Sequence, residues 1–283
     1  MSSAPVLISE KASDALRVAT VNVNGIRAAY RRGMQEWLAD RDVDILCLQE
    51  VRAPDTVVRD LLGDSWYILH SEAAAKGRAG VAVASRLEPT STREHIGDEY
   101  FATAGRWVEA DFEVAGTTLT VVSAYVHSGE AGSPQQEDKY RFLELMSSRL
   151  SELRSTRDHA LVVGDLNVGH TTRDIKNWKG NLKKAGFLPE ERAYFDHFFS
   201  DAVGWVDVHR DLAGDVDGPY TWWSWRGKAF DNDAGWRIDY QLATPELAAA
   251  ALSAVVDRAP SWESRFSDHA PLVVDYKLHE SQD

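Results

Sequence analysis

The sequence predicts an α/β fold. Apolar, strand-like runs alternate with helical segments along the whole chain. Hydrophobic residues make up 44% and charged residues 27% of the 283 positions, which is ordinary for a globular protein able to bury a sizeable core. A single cysteine, Cys47, rules out a disulfide-stapled secreted framework.

The strand-like runs are Leu16 to Ile26, Val43 to Glu50, Ala79 to Ser85, Arg106 to Val114, Thr118 to Val126, Ala160 to Val168, Arg237 to Thr244 and Pro271 to Leu278. The first alternates in side-chain character, and the second is a short apolar run suited to a buried strand. Cys47 lies inside that second run and reads as a buried, inert thiol.

Helices are expected between the strands. Tyr30 to Arg41 places Met34, Trp37 and Leu38 on one face, and Gln136 to Leu153 carries Tyr140, Leu143, Met146, Leu150 and Leu153 at helical spacing. Pro189 to Phe199 opens with Pro-Glu-Glu, a favourable start. Thr244-Pro245-Glu246 opens another, with Thr244 as N-cap. No repeat or linker interrupts the chain, so residues 16–283 are expected to form one domain behind a flexible arm at 1–15. No run approaches bilayer length, and the N-terminus lacks the apolar centre of a secretory signal. A cytoplasmic, nucleoid-associated location without a membrane partner is expected.

Polar residues fall at the strand ends. Asn22 and Asn24 end the first, Glu50 the second, Tyr125 and His127 the Thr118 run, and Asp165 and Asn167 the Ala160 run. Asp239 lies in the Arg237 run, and Asp268 and His269 precede the last strand. Residues two apart on a strand share a face, so Asn22 should point with Asn24, and Asp165 with Asn167. Strand ends of packed sheets can converge at one rim, where rigidly held loops tend to carry sites. Oxygen side chains of this kind suit Mg²⁺ or Mn²⁺ rather than Zn²⁺. An Asp able to take a proton from water, with a His, completes a set for phosphate hydrolysis. Taken singly, each has a plainer reading: Asn24-Gly25 as a turn, Glu50 as a solvated strand end, Asp165 to Asn167 as a loop cap. Asp239 could pair with Arg237, and Asp268-His269 could cap the turn before Pro271.

Most of the same residues sit in an ordered set of motifs: NVNGIRA (Asn22 to Ala28), LQEVR (Leu48 to Arg52), GDLNV (Gly164 to Val168), NWKGN (Asn177 to Asn181), GFLPEER (Gly186 to Arg192), WRIDYQLAT (Trp236 to Thr244) and SDHAP (Ser267 to Pro271). From Leu16 onward the chain resembles the exonuclease III and apurinic/apyrimidinic endonuclease branch of the endonuclease/exonuclease/phosphatase superfamily. The resemblance implies a four-layer α/β sandwich, two packed mixed β-sheets flanked by helices. It implies a Mg²⁺-dependent phosphodiesterase, with Mn²⁺ as substitute, that incises duplex DNA 5′ to abasic sites and also acts at 3′ ends. Glu50 would be the principal metal ligand, with Asn24 and Asp268; a metal at Asp165 and Asn167 stays open. Asp165 would activate water, Asn167 position it, Asp239 orient His269, and His269 and Tyr125 contact the phosphate. A monomer is expected by the same analogy.

The net charge of −13 runs against a DNA binder, which is usually basic, although the local field decides. Arg27, Arg31, Arg32 and Arg52 cluster near the first motifs, and Lys176, Lys179, Lys183 and Lys184 follow GDLN. Their default is a solvated surface, but the resemblance places Arg27 and Arg52 on backbone phosphates. Arg226 flanks the stretch TWWSWR, in which Trp222, with Trp236, matches positions lining the pocket for an abasic sugar. Trp223 and Trp225 are expected in the core. Two departures stand out: Ser128 replaces an amide side chain able to touch phosphate, and His127 stands where the branch has no catalytic His. Competing readings are a nonspecific nuclease or phosphoesterase on the same scaffold, and an inactive DNA-binding scaffold.

Overall fold

The structure is a computed structural model describing residues 11–278 except Ser13, so most of the expected N-terminal arm lies outside the described residues. Strands β1 (Leu16–Asn22), β2 (Ile45–Gln49), β3 (Tyr67–Ser71) and β4 (Val81–Ser85) come first. Then follow β5 (Ser91–Arg93), β6 (Trp107–Val114), β7 (Thr117–Tyr125), β8 (His159–Asp165), β9 (Val206–Asp207), β10 (Asp239–Ala243), β11 (Ala251–Val256) and β12 (Leu272–Tyr276). The helices are α1 (Ile26–Ala29), α2 (Gln35–Arg41), α3 (Asp55–Leu62), α4 (Pro134–Thr156), α5 (Pro189–Phe198), α6 (Val208–Ala213) and α7 (Pro245–Ala249). None of them is long and apolar enough to cross a membrane.

The strands form two six-stranded sheets, ordered β11-β12-β1-β2-β4-β3 and β5-β6-β7-β8-β10-β9. Each is mixed: β1 and β2 run parallel, as do β7 and β8, and the remaining pairs are antiparallel. Period-two alternation explains how the layers stack. In β8, Leu161 and Val163 face the other sheet, where they meet Val18, Ile45, Cys47 and Val83. Ala160 and Val162 face outward against Phe142, Met146 and Leu150 of α4 and Phe195 of α5. Ala19 and Val21 of β1 likewise turn outward onto Met34, Val58 and Leu62. Three apolar interlayer cores thus build the expected four-layer α/β sandwich. Cys47 is buried, and burial pushes its thiol upward, which keeps it unreactive.

The long periodic elements match the sequence reading, while short and edge elements depart from it. β3, β5, β9 and β11, with α3 and α6, were not expected. The Ala- and Leu-rich stretch after Pro245 has strong helix propensity, yet α7 stops at Ala249 and the chain pairs antiparallel to β12 as β11. Sheet pairing outweighs local preference there. Thr244 precedes α7 but gives it no side-chain cap. Its hydroxyl instead donates to the Asp158 carbonyl and accepts from Ala160 N–H, tying down the start of β8. The helix expected from Tyr30 begins earlier, at Ile26, and passes a widened turn where Gly33 has φ +107°.

Gly164, in GDLN, needs its missing side chain. Its φ is +140°, and a Cβ there would stand 2.0 Å from the Ala124 carbonyl oxygen on the neighbouring parallel strand. Gly164→Ala should therefore cost about 3 kcal/mol or more, by overpacking and strain together. Chemical denaturation would measure it; a loss under about 1 kcal/mol would mean that the strands part easily.

Candidate active site

The two central parallel pairs run in register to their C-terminal ends, Asn22 beside Gln49 in one sheet and Tyr125 beside Asp165 in the other. β10 starts at Asp239, directly across from Asp165. The segment before β12 brings Asp268 and His269 to the same rim. Glu50, Asn24 and Asn167 follow their strands in the left-handed region, at φ +47°, +46° and +50°, and Arg52 does so at +51°. Asn adopts this conformation readily, but Glu50 and Arg52 each store about 1–3 kcal/mol of strain. Backbone bonds hold them: Gly25 N–H donates to the Glu50 carbonyl, and Arg52 N–H to that of Ala79.

Asp165 lies at the centre, 1% exposed. Its Oδ2 accepts from Asn22 Nδ2 at 2.9 Å and Asn167 Nδ2 at 3.0 Å, and its Oδ1 from Asn167 N–H at 3.0 Å. His269 Nε2 stands 3.7 Å from Asp165 Oδ2, and its Nδ1 bonds Asp239 Oδ2 at 2.9 Å. Burial would lower the imidazole, but Asp239 and Asp165 outweigh it and bring the ring to about 10. Burial raises the Asp165 carboxyl to about 8, helped by Asp239 and opposed by His269 and Asn22. The second Asp239 oxygen, Oδ1, is buried with no hydrogen-bond partner among the described residues.

A second group of oxygens lines the same cavity. Asp268 accepts from Asn24 Nδ2 at 2.9 Å and Trp222 Nε1 at 3.0 Å. Burial acts to raise this carboxyl, but His269 and the two donors leave it below its ordinary value. Glu50 accepts from Tyr125 Oη at 2.6 Å and pairs with Arg52. Burial, Glu50 and Asp165 push the Tyr125 phenol far upward, so it remains a donor.

These groups surround a cavity of about 300 Å³ that also takes in Ser128, Gly186, Trp222 and Trp236. The two indoles meet edge to face at 6.2 Å. A Cβ on Gly186 would lie 3.0 Å from Trp236 and 3.2 Å from the Asn167 carbonyl oxygen. A wider cavity of about 680 Å³ adjoins through Glu50, Arg52, Tyr125 and Ser128, and Arg78, Arg106 and His127 line it further out.

The candidates named from sequence divide accordingly. Asn24, Glu50, Arg52, Tyr125, Asp165, Asn167, Trp222, Trp236, Asp268 and His269 line the smaller cavity, and Asp239 supports it through His269. Arg27 and Arg226 are exposed and line neither cavity, and Lys176, Lys179, Lys183 and Lys184 are solvated. Trp223 is in the core, whereas Trp225 is half-buried, edge-on to Trp262. Asn22 and Asn24 do not point together, because Asn24 has left the strand and turns to Asp268. Arg237 pairs with Asp174 and Asp207 rather than Asp239. His127 bonds the Gln135 carbonyl. Asn22 had no assigned role; only its place beside Asn24 could have drawn attention to it.

Residues 19–269 match the Endonuclease/Exonuclease/phosphatase family. An exodeoxyribonuclease of Bacillus subtilis is 33% identical over 258 residues, covering 91% of this chain and 98% of the relative. An AP endonuclease from Archaeoglobus fulgidus superposes with a TM-score of 0.79 at 29% identity, covering 93% of this chain and 100% of its own. A 3′ phosphatase from Neisseria bound to a product DNA hairpin gives 0.81 at 26% identity, with coverages of 93% and 100%. The chain belongs to the endonuclease/exonuclease/phosphatase family, on its exonuclease III and AP endonuclease branch. It is accordingly a nuclease-type hydrolase.

The raised pKa values carry a sign. A group whose folded pKa exceeds its unfolded one stabilises fully below the unfolded value and loses that contribution as pH rises through the folded value. For His269 the window runs from 6.5 to about 10, and for Asp165 from 3.8 to about 8. Without divalent cation, stability in urea should therefore fall between pH 7 and 10. Asp239→Asn should flatten that fall and bring the His269 ring, followed by NMR, down toward its ordinary range. An unchanged ring titration would show that Asp239 does not hold the charge.

Proposed function

We propose that this chain is a divalent-metal-dependent endonuclease that incises duplex DNA 5′ to abasic sites, leaving a 3′-hydroxyl and a 5′-deoxyribose phosphate. It would also remove 3′ nucleotides and 3′ phosphates by the same chemistry, acting as a monomer on nucleoid DNA. The observation that carries this reading is a buried Asp165 set against the His269–Asp239 pair in a cavity with an indole wall.

Asn22 and Asn167 aim the Asp165 carboxyl, and burial raises its proton affinity, so that its ionised form takes a proton from the attacking water. The attacking oxygen bonds to phosphorus as the bond to the 3′ oxygen breaks, and that oxygen takes a proton from solvent to become the 3′-hydroxyl. Protonated His269 donates to a non-bridging phosphate oxygen, where charge builds, and Asp239 keeps the ring charged and oriented. Tyr125 offers a second donor.

The oxygens of Glu50, Asp268 and Asn24 would hold the metal, Mg²⁺ by the character of the donors. This set fits better than the buried trio Asp165, Asp239 and His269, whose ligand atoms lie within 4.8 Å of one another, because a protonated imidazole is not a ligand. Asn167 turns its amide nitrogen toward Asp165, which serves the carboxylate rather than a shared cation. When bound, the cation supplies Lewis-acid neutralisation of phosphate charge. Arg52, Arg78 and Arg106 give the neighbouring cavity a local positive field that suits a strand backbone, despite the acidic total.

A duplex with one tetrahydrofuran abasic analogue, beside a duplex with a recessed 3′ end, tests the reading with Mg²⁺ and with EDTA. Incision 5′ to the analogue should need the metal and fall about 100-fold or more in Asp165→Asn. Shortening of the recessed end alone would make the protein an exonuclease, and no cleavage of either would favour other phosphoesters or an inactive scaffold.

Trp222 and Trp236 favour a baseless, flipped-out sugar, because a base would collide with them. Trp222→Ala should lower the preference for abasic over intact DNA, and Gly186→Leu should block the cavity and suppress abasic incision. Unchanged abasic cleavage in both variants would exclude this cavity as the sugar site.

A further inference from the structure

The GFLPEER segment has a buried centre that the chemistry above does not use. Glu191, in the first turn of α5, and Lys139, in the second turn of α4, are both 0% exposed and pair at 2.6 Å. Lys139 Nζ also donates to the Asn167 carbonyl at 2.9 Å and the Ser128 carbonyl at 3.2 Å. All three ammonium hydrogens therefore have acceptors. Glu191 is satisfied in turn, by Gln136 Nε2 at 3.0 Å and by Leu188 N–H at 2.9 Å.

The ammonium thus bridges the loops that leave β7 and β8. Asn167, whose carbonyl it holds, is left-handed and gives both its backbone N–H and its Nδ2 to Asp165. Ser128 begins the loop that lies directly over the pair: a Cβ on Gly129 would stand 2.6 Å from Gln136 Oε1 and 3.1 Å from Lys139 Cδ. Stability alone does not call for such a pair. Desolvating two charges costs several kcal/mol per ion, and apolar residues of similar volume often serve as well. An apolar pair cannot, however, donate to two loop carbonyls at once.

We infer that Lys139 and Glu191 are positioning residues, a buried clamp that sets the backbone at Asn167 and Ser128 and through it the aim of Asp165. This rests on the phosphodiester hydrolysis proposed above. The clamp acts on the reaction step and leaves substrate binding alone.

The test replaces both members, Lys139→Met with Glu191→Met, so that no buried charge is left unpaired. Folding is followed by circular dichroism, and cleavage is measured well below the melting midpoint. The expected result is a folded protein whose kcat on the tetrahydrofuran duplex falls about 10-fold or more, since a misplacement near 1 Å costs about 100-fold. KM, and duplex binding in EDTA, should move less than about twofold on the same basis. If that variant does not fold, Lys139→Gln with Glu191→Gln, which keeps both sites polar, leaves no charge unpaired and removes the ammonium that reaches both carbonyls, should show the same split. A folded variant with wild-type kcat overturns the clamp, as does a loss confined to KM or binding. Wild-type protein is run beside the variants on the abasic and the recessed duplex. Failure of the wild type on the abasic site would strike the proposed function, and the clamp would then be judged on the 3′ end.

Discussion

The hydrogen bond from Asn22 to Asp165, 2.9 Å long and fully buried, joins the ends of the two central parallel pairs. Apolar packing presses the sheets together but is indifferent to small slides between them. Polar pins remove that freedom. Gln49 Nε2 reaches Ser123 on the opposite sheet at 3.0 Å, and Gln241 Nε2 returns the contact to the Val18 carbonyl at 3.0 Å. Buried polar groups are costly when unpaired, so each pin holds only in the correct alignment. The Asn22 bond is the pin nearest the chemistry, and it brings residues of both sheets to one cavity.

Strain and charge concentrate at the same rim. The left-handed residues Asn24, Glu50, Arg52 and Asn167 end strands abruptly, so that their side chains turn into the cavity instead of continuing the pleat. Asp165 and Asp239 lie on either side of His269, and the shared charge keeps the ring protonated while burial keeps Asp165 basic. Glu50, Asp268 and Asn24 add further oxygens to the same cavity. One rim thus gathers Asp165, His269, Glu50, Asp268 and Asn24 around a single small cavity.

The acidic net charge of −13 says little about this surface. Arg52, Arg78 and Arg106 gather beside the cavity, while Arg27 and Arg226, which looked equally suitable in sequence, stand exposed away from it. Of the first group only Arg106 is partly buried; Arg52 and Arg78 are exposed like Arg27 and Arg226 and differ from them in lining the cavity.

Much of the fold was legible in the sequence because its interior strands are short apolar or alternating runs and its long helices keep their period. The site was legible because its polar residues interrupt apolar runs at their ends, which is visible in one dimension. The edge strands β3, β5, β9 and β11 were not, since an edge needs no apolar alternation and its pairing depends on a distant neighbour. By itself the sequence determined the alternation of strands and helices, through local periodicity, and the residue types at the strand ends; the four-layer arrangement came from the resemblance of its motifs to a known family. Only the tertiary structure decided that Asn22 serves Asp165 while Asn24 serves Asp268, and that Arg237 pairs with Asp174 rather than Asp239. It also decided that Lys139 and Glu191 meet in the interior. Those choices depend on distances between segments far apart in the chain, and the energy of a buried polar contact changes steeply over about one ångström.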